Sequence, residues 1–232
     1  MEFKGWVRTS LIDYPDHIAT VLFTGGCNFR CPMCHNADLV LRPGEMETIP
    51  QTEIWGFLRR REGLVDGVVI TGGEPTIQPG LSPFLQQLKE ANLDIKLDTN
   101  GYRPDILAAL LNDGLLDYVA MDVKAPPDKY PILTGLPDMD VTRVAQSIAL
   151  LKESGAAHEF RTTVVPGLLD ENDVADIAHW IAGANQYALQ QFRPVNTLDA
   201  ELERASPYPT DALQAMARRA NAWVSLVVVR GV

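Results

Sequence analysis

The sequence contains three cysteines, and all of them lie in one short segment, residues 27–36, with the spacing C-x3-C-x2-C. Three thiolates on one loop are more than a disulfide uses and one fewer than a closed four-ligand metal site needs. Iron–sulfur clusters of the bacterial ferredoxin type take four thiolates. A loop that supplies three, from Cys27, Cys31 and Cys34, leaves one iron of a cubane cluster open to a ligand that the protein does not provide.

Two other interpretations of these cysteines remain open. Free cysteines are often small, inert core residues, although the neighbouring Arg30 and the polar flanks make this segment poor core material. His35 could complete a Cys3His zinc site, because zinc accepts that ligand set. Adjacent residues on such a loop seldom reach one ion together, however, so Cys34 and His35 are an unfavourable pair of ligands. The spacing therefore favours an iron–sulfur cluster over zinc.

Composition and charge indicate an ordinary globular protein, since 46% of the 232 residues are hydrophobic and 22% are charged. No apolar run reaches the length of a membrane span, and the N-terminus lacks the features of a signal peptide. We therefore expect no membrane association and a cytoplasmic location, where thiols stay reduced. The formal net charge of −10 argues against nucleic-acid binding, which requires a basic face. We expect a single domain over residues 1–232, with a core at about 17–192 and a C-terminal extension at about 193–232.

Short β-branched apolar runs alternate with helical patterns along the chain, and this alternation is typical of βα units and a parallel sheet. The predicted strands are residues 18–24, 67–71, 94–97, 118–121, 160–165 and 187–192, with a terminal strand at 224–229. Residues 5–16 indicate a short lead-in, and the proline-rich residues 125–138 indicate an irregular loop. We predict an α/β fold, a partial TIM-like (β/α)6 barrel, because a closed eightfold barrel usually needs about 250 residues.

A polar or glycine-rich motif follows each of the first four predicted strands. These motifs are the cysteine loop, Gly-Gly-Glu-Pro at 72–75, Asp-Thr-Asn-Gly at 98–101 and Asp-Val-Lys at 122–124. Functional groups of parallel barrels lie at the carboxyl ends of the strands, so the pattern predicts one shared site. A pair of glycines lets a ligand approach bare backbone. Taken alone, however, the Gly-Gly pair is typical of a tight turn, and the Asp-Thr-Asn-Gly stretch of an Asx-type turn.

The cysteine loop, with the His-Asn that follows it, resembles the cluster loop of the radical S-adenosylmethionine (SAM) enzymes, whose (β/α)6 fold is similar to the one predicted here. In that superfamily the open iron of a 4Fe-4S cluster is chelated by the amino and carboxylate groups of SAM. An electron from the cluster then cleaves the sulfonium and yields a 5'-deoxyadenosyl radical. The resemblance implies that Cys27, Cys31 and Cys34 hold the cluster and act directly in the reaction.

The resemblance also implies contacts with SAM and with a monovalent cation. The residues expected to contact SAM are Met33, His35, Gly72, Gly73, Glu74, Asp98, Asn100, Lys124 and Arg161. Met33 departs from the family, which usually has an aromatic residue there, but a thioether can still pack on adenine. Oxygen atoms of Asp98, Thr99 and Asp122 would suit a monovalent cation near the sulfonium. A rim ion pair is the alternative for Asp122 and Lys124, and a salt bridge is the alternative for Arg161.

Residues 5–15, Gly-Trp-Val-Arg-Thr-Ser-Leu-Ile-Asp-Tyr-Pro, precede the cysteine loop and make the chain similar to glycyl-radical activating enzymes, most closely those of anaerobic ribonucleoside-triphosphate reductase. The resemblance implies an oxidoreductase whose radical removes a hydrogen from a glycine of that reductase or of another glycyl-radical enzyme. Flavodoxin or ferredoxin would supply the electron. With only three cysteines, we expect no auxiliary cluster. The alternatives are a pyruvate formate-lyase-type activase, an enzyme similar to 7-carboxy-7-deazaguanine synthase, and a non-catalytic zinc protein.

Overall fold

The structure, a computed structural model, describes all 232 residues. It contains eight strands, eight α-helices and three short 3-10 helices, joined by turns and loops. The strands are β1 (Phe3–Ser10), β2 (Ala19–Thr24), β3 (Gly67–Gly72), β4 (Asp94–Thr99), β5 (Tyr118–Asp122), β6 (Ala157–Val164), β7 (Gln186–Gln191) and β8 (Leu226–Arg230). The helices are α1 (Ala37–Leu41), α2 (Gln51–Arg60), α3 (Leu81–Glu90), α4 (Pro104–Asn112), α5 (Tyr130–Thr134), α6 (Val141–Glu153), α7 (Glu171–Trp180) and α8 (Thr210–Ala220). No helix is both long enough and apolar enough to cross a membrane.

The strands follow one another in the sheet in chain order, from β1 to β8. β1 is antiparallel to β2, whereas β2, β3 and β4 run parallel to one another, as do β6, β7 and β8. The pairing of β2 with β3 runs without interruption from Ala19 opposite Gly67 to Thr24 opposite Gly72. This topology confirms the predicted α/β class with a parallel sheet.

Strand β1 corrects the prediction that residues 5–16 form only a short lead-in. Its side chains are anchored by distant partners. Trp6 donates from Nε1 to Thr20 Oγ1 at 2.7 Å, and the buried ring of Phe3 lies 5.0 Å from that of Phe84. Residues 3–10 show no alternation of apolar and polar side chains, so the pattern carried no signal for a strand. Pairing with β2 decides the conformation here, as expected from the strong context dependence of β-propensity.

Two short helices were not predicted from the sequence. α5 falls within residues 125–138, which were predicted to be irregular, and α1 directly follows the cysteine loop. Both helices have five residues, which is too short for a helical periodicity to be recognised in the sequence. α5 ends at Gly135, whose φ of 66° is the left-handed conformation that favours glycine at a helix C-terminus.

The chain divides into two compact units. The first comprises Met1–Asn28, Asp38–Thr99 and Asp105–Val119, and the second comprises Phe29–Ala37, Asn100–Pro104 and Ala120–Val232. Each unit has buried apolar side chains on both strands and helices. Fully or almost fully buried examples are Leu22, Ile54, Ile70, Leu85 and Leu88 in the first unit and Phe160, Val174, Ile177, Tyr187 and Leu189 in the second. The prediction of a single domain over residues 1–232 stays a prediction.

Candidate active site

The cysteine loop leaves the carboxyl end of β2, and its first residues belong to the first unit. Hydrogen bonds fix its backbone. Gly26 N donates to Leu39 O at 2.7 Å, and Gln78 Nε2 donates to Gly25 O at 2.7 Å. Cys27, which is partly exposed, comes directly after these two glycines. The backbone of the loop is therefore held by α1 and by the residues that follow β3, independently of any ligand on the thiol.

Gly72 and Gly73, at the end of β3, are required by the packing of the first unit. Gly72 has a φ of 111°, and a Cβ placed on it would lie 2.5 Å from Thr24 N. A Cβ on Gly73 would overlap Gly26 O, and Gly73 N donates to Thr24 O at 2.9 Å. A side chain at either position would separate two backbone segments that now touch. The glycines thus have a structural role beside their predicted contact with SAM, which stays a prediction.

The carboxylate of Glu74 is buried, with a relative exposure of 1%, and it accepts several hydrogen bonds within the first unit. Thr76 donates to Oε1 from its backbone N at 3.0 Å and from its hydroxyl, and Thr99 Oγ1 donates to the same oxygen at 2.7 Å. Donors of this kind stabilise a buried carboxylate. Glu74 therefore connects the Gly-Gly-Glu-Pro motif to the last residue of β4.

Asp98, near the end of β4, pairs with a lysine that the sequence analysis did not select. Lys96 Nζ lies 2.6 Å from Asp98 Oδ1, and Thr71 Oγ1 donates to Oδ2 at 3.2 Å. Lys96 is buried, with a relative exposure of 3%. The signal for this pair was present in the sequence, because residues two apart on a strand lie on the same face. A lysine inside an apolar strand needs such a partner.

Cys31 and Cys34 belong to the second unit, where Cys34 N donates to Cys31 O at 3.0 Å. Cys31 is buried and Cys34 is partly exposed. Burial raises the pKa of the Cys31 thiol to about 11, although the positive charge of Lys124 opposes this rise. A metal that replaces the thiol proton would keep both sulfurs as thiolates, and thiolates are the ligands that iron–sulfur clusters use. The donor set of the loop therefore fits a cluster.

Backbone hydrogen bonds also hold the loop from two sides within the second unit. Arg30 N donates to Thr134 O at 2.7 Å, at the end of α5. Leu198 N donates to Cys34 O at 3.1 Å, from the segment after β7. Neither partner was identified from the sequence, because a backbone contact between distant segments leaves no residue-type signal. One of these two segments, the end of α5, lies within residues 125–138, which the sequence predicted to be irregular.

Asp122, Lys124 and Arg161 form an ion-pair network in the second unit. Arg161 Nε donates to Asp122 Oδ1 at 2.8 Å, and Lys124 Nζ donates to Oδ2 at 2.8 Å. Burial alone would raise the pKa of Asp122, but the charges of Arg161 and Lys124 outweigh it and hold the pKa below its usual range. The ion pairs considered as alternatives for these residues are present. A guanidinium and an ammonium each carry several donors, a chemistry that suits an anionic ligand.

The remaining predicted residues of the second unit occupy different environments. Met33 is buried, whereas His35 is exposed and its ring lies 5.8 Å from that of Phe192, nearly parallel to it. Asn100 is buried, and its Oδ1 accepts from Tyr102 N at 3.0 Å, which is the Asx-type turn indicated by the sequence. Phe192 was not selected from the sequence, where it is one apolar residue at the end of a strand pattern.

Comparison with known proteins shows similarity to a sequence family and to solved structures. Residues 21–181 match the Radical SAM superfamily. Among solved structures, SuiB of Streptococcus suis has a TM-score of 0.68 at 14% identity, covering 91% of this chain and 48% of that one. A domain of pyruvate-formate lyase-activating enzyme from Bacteroides vulgatus has a TM-score of 0.55 at 15% identity, covering 71% of this chain and 99% of that one. The fold and the cysteine loop thus define a radical SAM enzyme.

Sequence relatives narrow the assignment. A protein of Methanocaldococcus jannaschii named as a glycyl-radical enzyme activating enzyme is 34% identical over 234 residues, covering 98% of this chain and 95% of that protein. Pyruvate formate-lyase-activating enzyme of Staphylococcus aureus is 31% identical over 164 residues, covering 66% of this chain and 64% of that protein. The chain belongs to the radical SAM superfamily and, within it, to the glycyl-radical enzyme activating enzymes. It is accordingly a radical-generating oxidoreductase of a family that uses a 4Fe-4S cluster and SAM, as the sequence analysis predicted.

Proposed function

We propose that this protein activates anaerobic ribonucleoside-triphosphate reductase by generating a glycyl radical on it. The main support for the radical reaction is the cysteine loop. Hydrogen bonds fix its backbone, and it contains all three cysteines of the chain. The choice of this reductase is supported by residues 5–15 and by the absence of cysteines for an auxiliary cluster. We further propose that it works in the cytoplasm, where thiols stay reduced.

In this proposal Cys27, Cys31 and Cys34 hold three irons of the cluster. When bound, the cluster and SAM supply the 5'-deoxyadenosyl radical that removes a hydrogen from the partner's glycine, with one electron from flavodoxin or ferredoxin. The positive charge of Lys124 favours the thiolate of Cys31 and opposes the rise in its pKa that burial causes. The fixed backbone on both sides of the second and third cysteines keeps their sulfurs preorganised, so little order has to be created when the cluster binds.

Charged residues of the second unit are suited to an anionic ligand group. Arg161 and Lys124 both contact the carboxylate of Asp122, and each carries a positive charge. We propose that these two cations receive the carboxylate of SAM, which a planar guanidinium and an ammonium both bind well. Asp122 then acts as a positioning residue, because it holds both side chains in place.

The other residues predicted to contact SAM complete the proposed site. The backbone at the end of β3, at Gly72, Gly73 and Glu74, would receive the amino group. Met33 would pack on the adenine, and His35 and Asn100 would lie beside the adenosyl group. These assignments are supported by the position of each residue in a family motif. Asp98 would be a further polar contact.

Anaerobic reconstitution with iron and sulfide, followed by reduction with SAM present, tests the radical reaction. We expect cluster absorbance and release of 5'-deoxyadenosine, both lost in Cys31→Ala. Trp223→Phe is the matched control, because it alters a partly exposed side chain away from every site motif and should retain both signals. A colourless zinc protein that forms no deoxyadenosine would contradict the proposal and favour the zinc interpretation.

The identity of the partner needs a second experiment. The chain is incubated, reduced and with SAM, with anaerobic ribonucleoside-triphosphate reductase or with pyruvate formate-lyase, and glycyl radical is measured by electron paramagnetic resonance. We expect the signal on the reductase alone. A signal on pyruvate formate-lyase alone would establish the second candidate, which the similarity to the S. aureus activating enzyme favours. Deoxyadenosine without a radical on either protein would favour a small-molecule substrate.

A further inference from the structure

Lys96 is a buried ammonium in the first unit, and its environment is unusual for a lysine. The residue has a relative exposure of 3%, and its ammonium pairs with Asp98, whose side chain is 15% exposed. The ring of Tyr118 lies 6.0 Å from Lys96 Nζ, at the outer range of a cation–π contact. Burying a charge is costly unless it is paired, and Asp98 Oδ1, at 2.6 Å, is the carboxylate oxygen that pairs with it.

The geometry of β4 brings the side chains of Lys96 and Asp98 together. Lys96 and Asp98 are two residues apart on β4, so their side chains point to the same face. Lys96 also lies opposite Val69 on the neighbouring strand β3, and Val69 is buried. The ammonium therefore sits beside apolar neighbours and is directed along its own strand to the carboxylate.

Asp98 is also the first of the three residues whose oxygens were expected to hold a monovalent cation. Its Oδ1 accepts from Lys96 and its Oδ2 from Thr71. Lone pairs on a carboxylate allow more than two bonds, so geometry alone does not exclude an ion. Charge is decisive. The negative charge of Asp98 is already compensated by an ammonium at contact distance. A free ion, which would also lose its hydration shell, therefore gains less from this carboxylate than from an unpaired one.

Asp122, another of those three residues, shows the same charge compensation in the second unit. Lys124 and Arg161 both contact its carboxylate, at 2.8 Å each, so two cations share one anion. Each carboxylate of the expected ligand set therefore has a protein cation in contact with it. The residues present do not fit a bound monovalent cation.

We propose that Lys96 is a built-in counterion, whose ammonium occupies at Asp98 the place that a monovalent cation would otherwise take. The enzyme then binds SAM without an added sodium or potassium ion. Lys96 is a positioning residue, because it acts by fixing the charge and orientation of Asp98. This inference rests on the proposed role of Asp98 in binding SAM.

The wild-type protein provides the first test. SAM affinity of the reconstituted enzyme is measured by calorimetry in sodium, potassium or choline chloride at equal ionic strength. Thermal unfolding of the cluster-free protein is measured in the same three salts. We expect neither quantity to depend on the cation. A SAM affinity that falls fivefold or more in choline, or a clear loss of thermal stability there, would overturn the proposal.

Removal of the ammonium provides the second test. Lys96→Met keeps an unbranched side chain of similar length but removes the ammonium from Asp98. In choline we expect SAM affinity to fall by on the order of tenfold, as for loss of a residue that orients a ligand-binding group. Sodium or potassium should restore most of it. Lys96→Arg retains the charge and should stay independent of the cation. Unchanged affinity of Lys96→Met in choline would contradict the proposal.

Lys89→Met is the matched control, because Lys89 pairs with Asp117 in the same unit but is partly exposed. Its SAM affinity should not respond to the cation. Should Lys96→Met fail to fold, the wild-type salt series and Lys96→Arg still decide the question. A wild-type protein that binds no SAM in any salt would contradict the proposed function instead. In that case the thermal unfolding of cluster-free Lys96→Met would still test the role of Lys96 as a counterion. Unfolding that depends on the cation would support this role, and unfolding that is the same in all three salts would reject it.

Discussion

The hydroxyl of Thr99 donates a hydrogen bond of 2.7 Å to the buried carboxylate of Glu74. Thr99→Val removes this donor while keeping the shape of the side chain. We expect a loss of about 1 kcal/mol in the free energy of unfolding, the usual net contribution of one hydrogen bond, because Thr76 still donates to the same oxygen. Thr99→Ser keeps the hydroxyl and should lie closer to the wild type. Urea unfolding measures both variants, and equal stabilities for the Val and Ser variants would show that the bond is unimportant.

Gly73→Ala should damage the cysteine loop, because the new Cβ would overlap the backbone oxygen of Gly26. Relief of that overlap requires a backbone shift, for which we expect a cost of about 1–3 kcal/mol together with less iron after reconstitution. Gly44→Ala is the control, since no atom lies within 4 Å of the Cβ it would add. The explanation fails if Gly73→Ala matches Gly44→Ala in both unfolding free energy and iron content.

Alkylation of the cluster-free protein should distinguish the cysteines. Burial raises the pKa of Cys31 to about 11, so at pH 8 only about one molecule in a thousand carries its thiolate. Cys34 is more exposed. We expect iodoacetamide to modify Cys31 far more slowly than Cys34, with a rate that rises up to about pH 11. Peptide mapping by mass spectrometry follows each site, and equal rates at pH 8 would contradict the buried position.

The network around Asp122 predicts a pH dependence of stability. Arg161 and Lys124 hold the folded-state pKa of Asp122 below its usual value of about 3.9, against the opposing effect of burial. Its stabilising contribution is therefore complete above that value, declines as the pH falls below it, and is lost once the pH passes the folded-state pKa. We expect Asp122→Asn to be less stable than the wild type at pH 7, with a gap that narrows towards pH 3. Urea unfolding across this range measures the gap, and a gap that stays constant would contradict the network.

Sequence periodicity was sufficient for most of the regular structure. The predicted strands at 67–71 and 118–121 are observed as Gly67–Gly72 and Tyr118–Asp122. Both strands are buried at consecutive positions, as their uninterrupted apolar runs indicated. The Asx-type turn at Asn100 was also predictable, because it depends on a side chain and a backbone N–H two residues apart.

The sequence by itself determined which residues can do chemistry: the three cysteines, and the motifs that follow the first four predicted strands. Only the tertiary structure decided how they are held. Strand β1, the contact between Gly73 and Gly26, and the hydrogen bond from Leu198 N to Cys34 O all join segments far apart in the chain. The physical reason is the range of the interactions. Periodicity and turn chemistry report contacts within a few residues, whereas backbone hydrogen bonds and close packing between distant segments depend on the complete fold.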